Sequence, residues 1–280
     1  MTTHWTSSAA IALAFLCFTA MEVIFPLRRS VEPKLRRMVR NLTLGGVSYA
    51  VMTLTQAPLL TPLATWVEQR NIGLLGFVRL PRAAEIAIAL LLLDYTLWIW
   101  HWLNHKVPFF WRFHLVHHVD RDLDSSTALR FHFGELLLSI GYRALQIVVI
   151  GADVTALWIW QTILFVSILF HHSNMRLPER LDRALVRLLV TPRMHGIHHS
   201  DRIEETNSNW SSILTVWDFL HRTMRLDVPQ ESITVGVPAF EEAREVTIGK
   251  LLLLPFRKRR DDWFPGRPVS QSPGGKSVTG

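Results

Sequence analysis

Three short runs of histidine are the residues of this chain with the clearest chemical potential. They read HWLNH, HLVHH and HGIHH and hold eight of the 13 histidines. Residues three and four positions apart share a helix face, so each run should turn its imidazoles in one direction. Neutral imidazole is a common metal ligand, and one zinc site takes only three or four protein ligands, so eight histidines predict two metal ions. The eight are His101, His105, His114, His117, His118, His195, His198 and His199.

The histidines outside these runs carry a weaker signal. A single histidine is more often a packed or surface residue than a ligand, and His4, His171 and His221 are first interpreted in this way. The three runs are harder to explain without metal. Eight buried neutral histidines would need eight sets of hydrogen-bond partners, which metal ions supply more simply.

Composition places the chain at a membrane. Of its 280 residues 49% are hydrophobic and 11 are tryptophan, which is too apolar for an ordinary soluble domain. The net charge of +7 indicates an anionic membrane surface rather than nucleic acid, because the basic residues flank apolar segments. The only cysteine, Cys17, lies in an apolar stretch, so neither a disulfide framework nor a thiolate metal site is expected.

The elements that must position the histidines are apolar segments long enough for a bilayer, which takes about 20 residues. We expect spans at 7–26 and 83–103, and a further apolar stretch at 42–66 that Pro58 and Pro62 interrupt. A signal peptide at the N-terminus is disfavoured, because no basic segment precedes the apolar run and no clear cleavage site follows it.

The apolar stretch 134–171 is broken near Gly151-Ala152-Asp153 and predicts a helical hairpin with both ends on one side. Residues 28–41 hold six Lys or Arg and one Glu, which the positive-inside rule places in the cytoplasm. Alternation of the spans then brings all three histidine runs to that face.

The C-terminal half is more polar. Residues 173–247 are expected in the cytoplasm, and LLLLPF (251–256) is expected to anchor at the interface beside RKRR (257–260) on anionic headgroups. The Gly/Ser/Pro-rich tail from Pro265 is expected to be disordered. The sequence thus predicts an all-α integral membrane helical protein, with about three to four spans plus a helical hairpin, and a cytoplasmic helical cap that carries the metal site.

Ligand type narrows the chemistry. Imidazole suits zinc, copper, iron and nickel, so affinity alone does not choose the metal. Two-metal hydrolases normally add bridging carboxylates, and the three runs contain neither Asp nor Glu. A pair of irons held by imidazoles would activate dioxygen, as an unactivated lipid C–H bond requires. The alternatives are a metal-dependent (zinc) membrane hydrolase and, less favoured, a metal-transport protein, whose histidines would line a path between the two faces.

The chain resembles bacterial members of the fatty acid hydroxylase / sterol desaturase superfamily, which are membrane di-iron enzymes with histidine boxes. The three runs are similar to the three boxes in order and spacing. The flanking stretches STALRFHFGE (126–135), FHHSNMRLP (170–178) and TPRMHGIHHS (191–200) agree as well.

The resemblance covers residues 85–225, which we expect to form the catalytic domain. Residues 1–84 would then hold the N-terminal membrane helices and the basic cytoplasmic loop. Residues 226–264 would form a C-terminal cytoplasmic or interfacial segment, and residues 265–280 the disordered tail.

The resemblance implies an O2-dependent oxidoreductase that hydroxylates or desaturates a C–H bond of a sterol, fatty acyl or ether lipid. Its cofactor would be a di-iron centre of two iron ions, with O2 as cosubstrate. No GxGxxG nucleotide fingerprint or haem domain is found in the chain, so electrons should come from an external reductase, cytochrome or ferredoxin. The implied location is the bacterial inner membrane, with the metal site on the cytoplasmic face.

The resemblance also implies the metal ligands. They are the eight box histidines and His172, which resembles a further family histidine before the third box. Four polar residues are candidates to hydrogen-bond the ligands from behind: His132, Glu135, Asn174 and Asp201. His132 stands where family members often carry His-Pro, but Phe133 follows it here.

Overall fold

Helices make up the regular structure of the part that the computed structural model describes, residues 2–258 and 260, with only isolated β-bridges besides. The predicted all-α class is confirmed. The tail expected to be disordered, 265–280, and Arg259 of the basic run lie outside the described residues.

Twelve α-helices follow one another along the described residues. They are α1 (Thr2–Ile24), α2 (Lys34–Val51), α3 (Ala57–Gln69), α4 (Arg82–Lys106), α5 (Pro108–His118), α6 (Phe133–Ile150), α7 (Val154–His172), α8 (Glu179–Leu185), α9 (Pro192–His198), α10 (Ile203–Thr206), α11 (Val216–Leu220) and α12 (Ile248–Leu253).

Four of the described helices are long and apolar enough to cross a membrane by length and composition. The apolar windows are Ser7–Ile24, Arg82–Lys106, Phe133–Ile150 and Val154–His172. They coincide with the predicted spans at 7–26 and 83–103 and with both halves of the predicted hairpin. The stretch 42–66 falls within α2 and α3, which are not among these four.

The two prolines of that stretch do not break it. A π-helical turn, Met52–Gln56, joins α2 to α3, and Pro58 and Pro62 lie inside α3. Proline cannot donate the usual backbone bond, and a wider turn just before it relieves the mismatch. The Gln56 side chain, which is buried in this turn, donates to the backbone oxygen of Leu136 at 2.7 Å, so the turn is pinned to α6.

The hairpin bends where the sequence predicts. Gly151 ends α6 with a φ of +78°, and a Cβ there would lie 2.6 Å from the backbone oxygen of Ile72, so only glycine fits. Asp153 then caps α7, because its side chain accepts from the backbone nitrogen of Ala156 at 2.9 Å.

The main core lies where α4, α6 and α7 pack together, with Leu93, Trp160 and Leu169 among its buried members. The C-terminal ends of α4 and α7 and the N-terminal end of α6 meet at one end of this bundle, opposite the hairpin bend. The histidine runs lie at that end.

The basic segment 28–41 differs from the solvated loop that was expected. Most of it is the first part of α2, and three of its six cations point inward. Arg37 and Arg40 are buried, and Arg28 donates to the backbone oxygen of Pro192 at 2.8 Å. Only part of its charge therefore faces outward.

Buried carboxylates explain this inward turn. Arg37 donates to Asp120 at 3.1 Å and also pairs with Asp122 and Asp124 in the loop that follows the second box. Burial would raise the pKa of Asp120, but Arg37 and its neighbouring arginines lower it to about 2. The carboxylates near the second box thus neutralise the positive charge of the buried arginines on α2.

The apolar run 251–256, expected as an interfacial anchor, is only partly at the surface. Leu251 is fully buried in a second core with Trp111 and Val116 of α5. Leu253 and Phe256 are exposed. This run therefore packs the C-terminal segment onto the helix of the second box.

Candidate metal centre

All nine predicted ligands converge, and they form two groups. In each group the ring nitrogens lie within 4.8 Å of one another. The five-histidine group consists of His101, His105, His114, His118 and His198. The four-histidine group consists of His117, His172, His195 and His199.

The two HxxHH runs are shared between the groups, contrary to the expectation that each run points in one direction. His117 and His118 are neighbours in the chain but belong to different groups, and so do His198 and His199. Successive residues of a helix are about 100° apart around its axis, so adjacent imidazoles reach two different points. The second and third boxes therefore lie between the two groups.

Backbone carbonyls orient two rings of the five-histidine group. Nδ1 of His101 donates to the oxygen of Trp210 at 2.8 Å, and Nδ1 of His198 donates to the oxygen of Ser208 at 2.8 Å. Because a carbonyl only accepts, the proton must be on Nδ1, and Nε2 then offers a lone pair to a metal. The sequence motifs did not reveal the role of this loop. Its contacts are made by backbone carbonyls, which every residue type carries.

A carboxylate orients a third ring. Oε1 of Glu135 lies 3.1 Å from Nδ1 of His114 and accepts from the Asn104 side chain at 3.2 Å. Glu135 is buried at the start of α6. Glu135 is therefore the only one of the four polar candidates that contacts a box histidine by a hydrogen bond among the described residues.

The free nitrogens of this group fit a metal. Among the described residues, the Nε2 atoms of all five histidines are buried and have no hydrogen-bond partner. A buried polar atom left without a partner costs free energy, which a metal ion would offset by taking the lone pairs.

The four-histidine group is tighter. Nε2 of His172 lies 3.0 Å from Nε2 of His117 and 3.0 Å from Nε2 of His195, and Nε2 of His199 lies 3.1 Å from Nε2 of His195. Two nitrogens each about 2.1 Å from one ion, at a right angle, are about 3 Å apart. Nδ1 of His172 donates to its own helix at Ile168, 2.8 Å away, which leaves Nε2 as the ligand atom.

Burial keeps these imidazoles in the ligand form. It lowers the pKa of His117, His118, His195 and His199 well below the usual value, and the pKa of His198 to about 3. Neighbouring histidines act in the same direction. The rings are therefore neutral near pH 7, as metal ligation requires.

His132 and Asn174 lie apart from the ligands. Nδ1 of His132 accepts from the backbone of Gly134 at 2.9 Å, and its Nε2 donates to the oxygen of Leu252 at 3.1 Å, so both ring nitrogens are used. The ring caps α6. The Asn174 side chain accepts from the backbone nitrogen of Arg28 at 2.9 Å and donates to its oxygen at 2.8 Å.

Asp201 is also placed away from the ligands. Its backbone nitrogen donates to Thr234 at 2.8 Å, and within the described part of the chain its carboxylate makes no hydrogen bond to a histidine. His171, first interpreted as an ordinary packed residue, is buried against the four-histidine group with its ring 4.1 Å from that of His195. It is not one of the nine histidines of the two groups.

The glycine of HGIHH is required because a neighbouring side chain occupies the space that a Cβ would take. A Cβ at Gly196 would lie 1.7 Å from a terminal nitrogen of Arg28, which donates to the Pro192 oxygen at 2.8 Å and to Gln230 at 2.6 Å. The missing side chain lets Arg28 reach the start of α9. The basic segment thereby holds the third box.

The region that holds the histidine runs matches a known protein family. Residues 86–223 match the family described as fatty acid hydroxylase. This part of the chain belongs to the fatty acid hydroxylase family. The resemblance inferred from the histidine boxes is confirmed.

The chain is also similar to proteins named as lipid and sterol hydroxylases. The chain is 28% identical to ornithine lipid hydroxylase OlsE of Rhizobium tropici over 197 residues, 70% of this chain and 58% of that protein. It is 30% identical to cholesterol 25-hydroxylase of Homo sapiens over 162 residues, 55% of this chain and 53% of that protein. The chain thus spans between half and three fifths of the length of these relatives. No solved structure matches it significantly.

Proposed function

We propose that this protein is a membrane di-iron enzyme that uses O2 to hydroxylate a C–H bond of a lipid. The observation that carries the proposal is the set of nine imidazoles in two groups, neither of which includes a carboxylate among the described residues. A hydrolytic metal pair normally includes bridging carboxylates. The family match and the names of the relatives, which are lipid and sterol hydroxylases, favour hydroxylation over desaturation.

The five-histidine group would hold one iron and the four-histidine group the other. When bound, the irons supply the redox chemistry that activates O2. The protein's own contribution is orientation: Trp210, Ser208 and Glu135 engage Nδ1 of three imidazoles, which leaves Nε2 of each free to bind an ion. The burial of the rings keeps bulk water from the centre and keeps the ligands neutral.

The reaction needs a partner for electrons. One O2, one lipid C–H, two electrons and two protons give one alcohol and one water, so two electrons must enter from outside the chain. We propose an external donor of the reductase, cytochrome or ferredoxin type. Residues 85–225 would carry the catalysis, with 1–84 as membrane helices and 226–264 as a cytoplasmic or interfacial segment.

The location proposed is the bacterial inner membrane, with the histidine end in the cytoplasm. Four described helices are apolar enough to span, and the lipid substrate would enter from the bilayer. At the histidine end, Arg36 and other basic side chains remain exposed although Arg37 and Arg40 are buried. Exposed cations beside spans favour the cytoplasmic face.

Iron content and product formation test the proposal together. Purified protein should hold about two iron ions per chain, as two separate ligand groups require. Expression of the wild type should add one oxygen to a membrane lipid, detected by mass spectrometry. His198→Ala and His117→Ala each remove a ligand from one group and should abolish that product.

His221→Ala is the matched control, because His221 is exposed and lies outside both groups. It should leave iron content and product unchanged. Full product formation by either ligand variant, or product formed without O2, would contradict the proposal. A zinc hydrolase would instead act without O2 or reductant.

A further inference from the structure

A small cavity lies within the span bundle, on the membrane side of the five-histidine group. Its volume is about 10 Å3, and residues of α4, α6 and α7 line it, among them Leu97, Trp100, Arg143 and Trp160. Trp100 directly precedes the ligand His101, and Leu97 lies four residues before it, ~6 Å along the helix axis. A lipid approaching the metal groups from the bilayer would meet this cavity.

Arg143 is a charged residue within an apolar span, where charged side chains are rare. It lies in the middle of the apolar span Phe133–Ile150 and shares a helix face with the buried Ser139 and Gln146. Within the described chain its guanidinium makes no hydrogen bond or ion pair, and its contact is the ring of Trp160, with the guanidinium carbon 5.7 Å from the ring centroid. A cation inside a span is a functional candidate by default.

Trp160 supplies a second, independent observation at the same cavity. Its side chain is only 3% exposed. Its indole nitrogen has no hydrogen-bond partner among the residues that the structure describes. An indole N–H of a buried tryptophan usually finds an acceptor.

The neighbouring polar side chains are already engaged with one another. The Tyr142 hydroxyl donates to the backbone oxygen of Thr96 at 2.6 Å, and the Gln146 side chain donates to the Thr96 hydroxyl at 2.6 Å. Arg143 and Trp160 can only donate. The group that would satisfy them is an acceptor oxygen.

We propose that Arg143 and Trp160 bind an acceptor oxygen of the lipid substrate, a carboxylate or a hydroxyl, and so position its hydrocarbon beneath the five-histidine group. This inference rests on the proposed function and names its substrate class, a lipid that carries a polar oxygen at a distance from the reacting carbon. Arg143 lies eight residues after Glu135, ~12 Å along α6, which sets the scale of that distance. A cavity of this size holds one oxygen-sized group.

Binding of three probes with the same chain length tests the inference. Labelled palmitate, 1-hexadecanol and hexadecane differ in carrying a carboxylate, a hydroxyl and no oxygen. Each is titrated against the purified, iron-loaded full chain in nanodiscs, without reductant. The variants are Trp160→Phe, which removes the N–H and keeps an aromatic ring, and Arg143→Met, which keeps an unbranched apolar stem. Trp66→Phe removes an exposed indole on α3 and serves as the control.

The wild type should bind at least one of the oxygen-bearing probes about 10-fold more tightly than hexadecane, since the oxygen would accept from the buried indole of Trp160 and the half-buried guanidinium of Arg143. Trp160→Phe and Arg143→Met should each remove most of that preference and leave hexadecane binding unchanged, whereas Trp66→Phe should retain it. A larger loss for palmitate than for hexadecanol in Arg143→Met identifies a carboxylate. An equal loss identifies a hydroxyl-sized acceptor.

Equal binding of all three probes by the wild type would overturn the inference. So would a preference that survives in both cavity variants, since the cavity would then hold no more than water. Because binding is measured without turnover, the outcome is separate from the proposed function. A protein that shows the preference but forms no product contradicts only the function, and one that forms product without the preference contradicts only this inference.

Discussion

The imidazoles of the proposed metal centre are oriented by hydrogen bonds to their Nδ1 atoms. Nδ1 of His101 and Nδ1 of His198 are fixed by carbonyls of one loop, Trp210 and Ser208. His114 is fixed by Glu135 instead. Ligand orientation from behind raises basicity and selects the tautomer, so these contacts should matter for affinity nearly as much as the ligands do.

Glu135→Gln tests the carboxylate behind His114. The amide keeps the size of the side chain but loses the charge that strengthens the bond to Nδ1. We expect iron affinity or product formation to fall by about 10- to 100-fold. Iron titration of the purified variant and lipid analysis measure the two effects. Asp201→Asn, a similar change away from the histidines, should behave as wild type, and an equal loss in both variants would refute the role of Glu135.

Helix α2 shows how an element can position a site from a distance. Its N-terminal turns carry Arg37, which holds three aspartates of the loop that follows the second box. That loop leads directly from His118 at the end of α5. The contact therefore ties the basic segment to the helix that serves both histidine groups.

Arg37→Met should destabilise the protein by about 3–5 kcal/mol, because it leaves buried carboxylates without their partner. Thermal unfolding in detergent measures the change, and iron retention shows whether the second box is disturbed. Arg36→Met is the matched control, since Arg36 is the exposed neighbour and should change stability by less than about 0.5 kcal/mol. A stable Arg37 variant would mean that the network carries no net free energy.

The orientation of the whole molecule follows from where its helices end. The histidine groups, the start of α2 and the C-terminal ends of α1, α4 and α7 lie at one end. The hairpin bend and the end of α3 lie at the other, where Gly73 and Gly151 meet. The proposed topology puts the first of these ends in the cytoplasm.

Single-cysteine labelling checks this topology. In a Cys17→Ser background, Arg36→Cys marks the histidine end and Arg70→Cys marks the opposite end, both at exposed positions. A membrane-impermeant maleimide added to intact spheroplasts should label Arg70→Cys at once and Arg36→Cys only after permeabilisation. The reverse pattern would contradict a cytoplasmic metal site.

Local pattern was enough to predict much of this protein. Hydropathy predicted the long apolar helices, and Gly151 with Asp153 predicted the hairpin bend, because a left-handed residue and a cap act on adjacent backbone. The spacing of the boxes indicated their eight histidines, and the family resemblance added His172. The two prolines in 42–66 suggested an interruption, but both lie within α3, which follows a π-helical turn.

Contacts between distant parts of the chain decided the rest. His101 meets Trp210 across 109 residues, and Arg37 meets Asp124 across 87. The division of nine histidines into two groups, the inward turn of the basic segment and the cavity of Arg143 and Trp160 all depend on such pairings. Residue type and spacing are local properties, whereas which donor meets which acceptor is settled only when the helices pack.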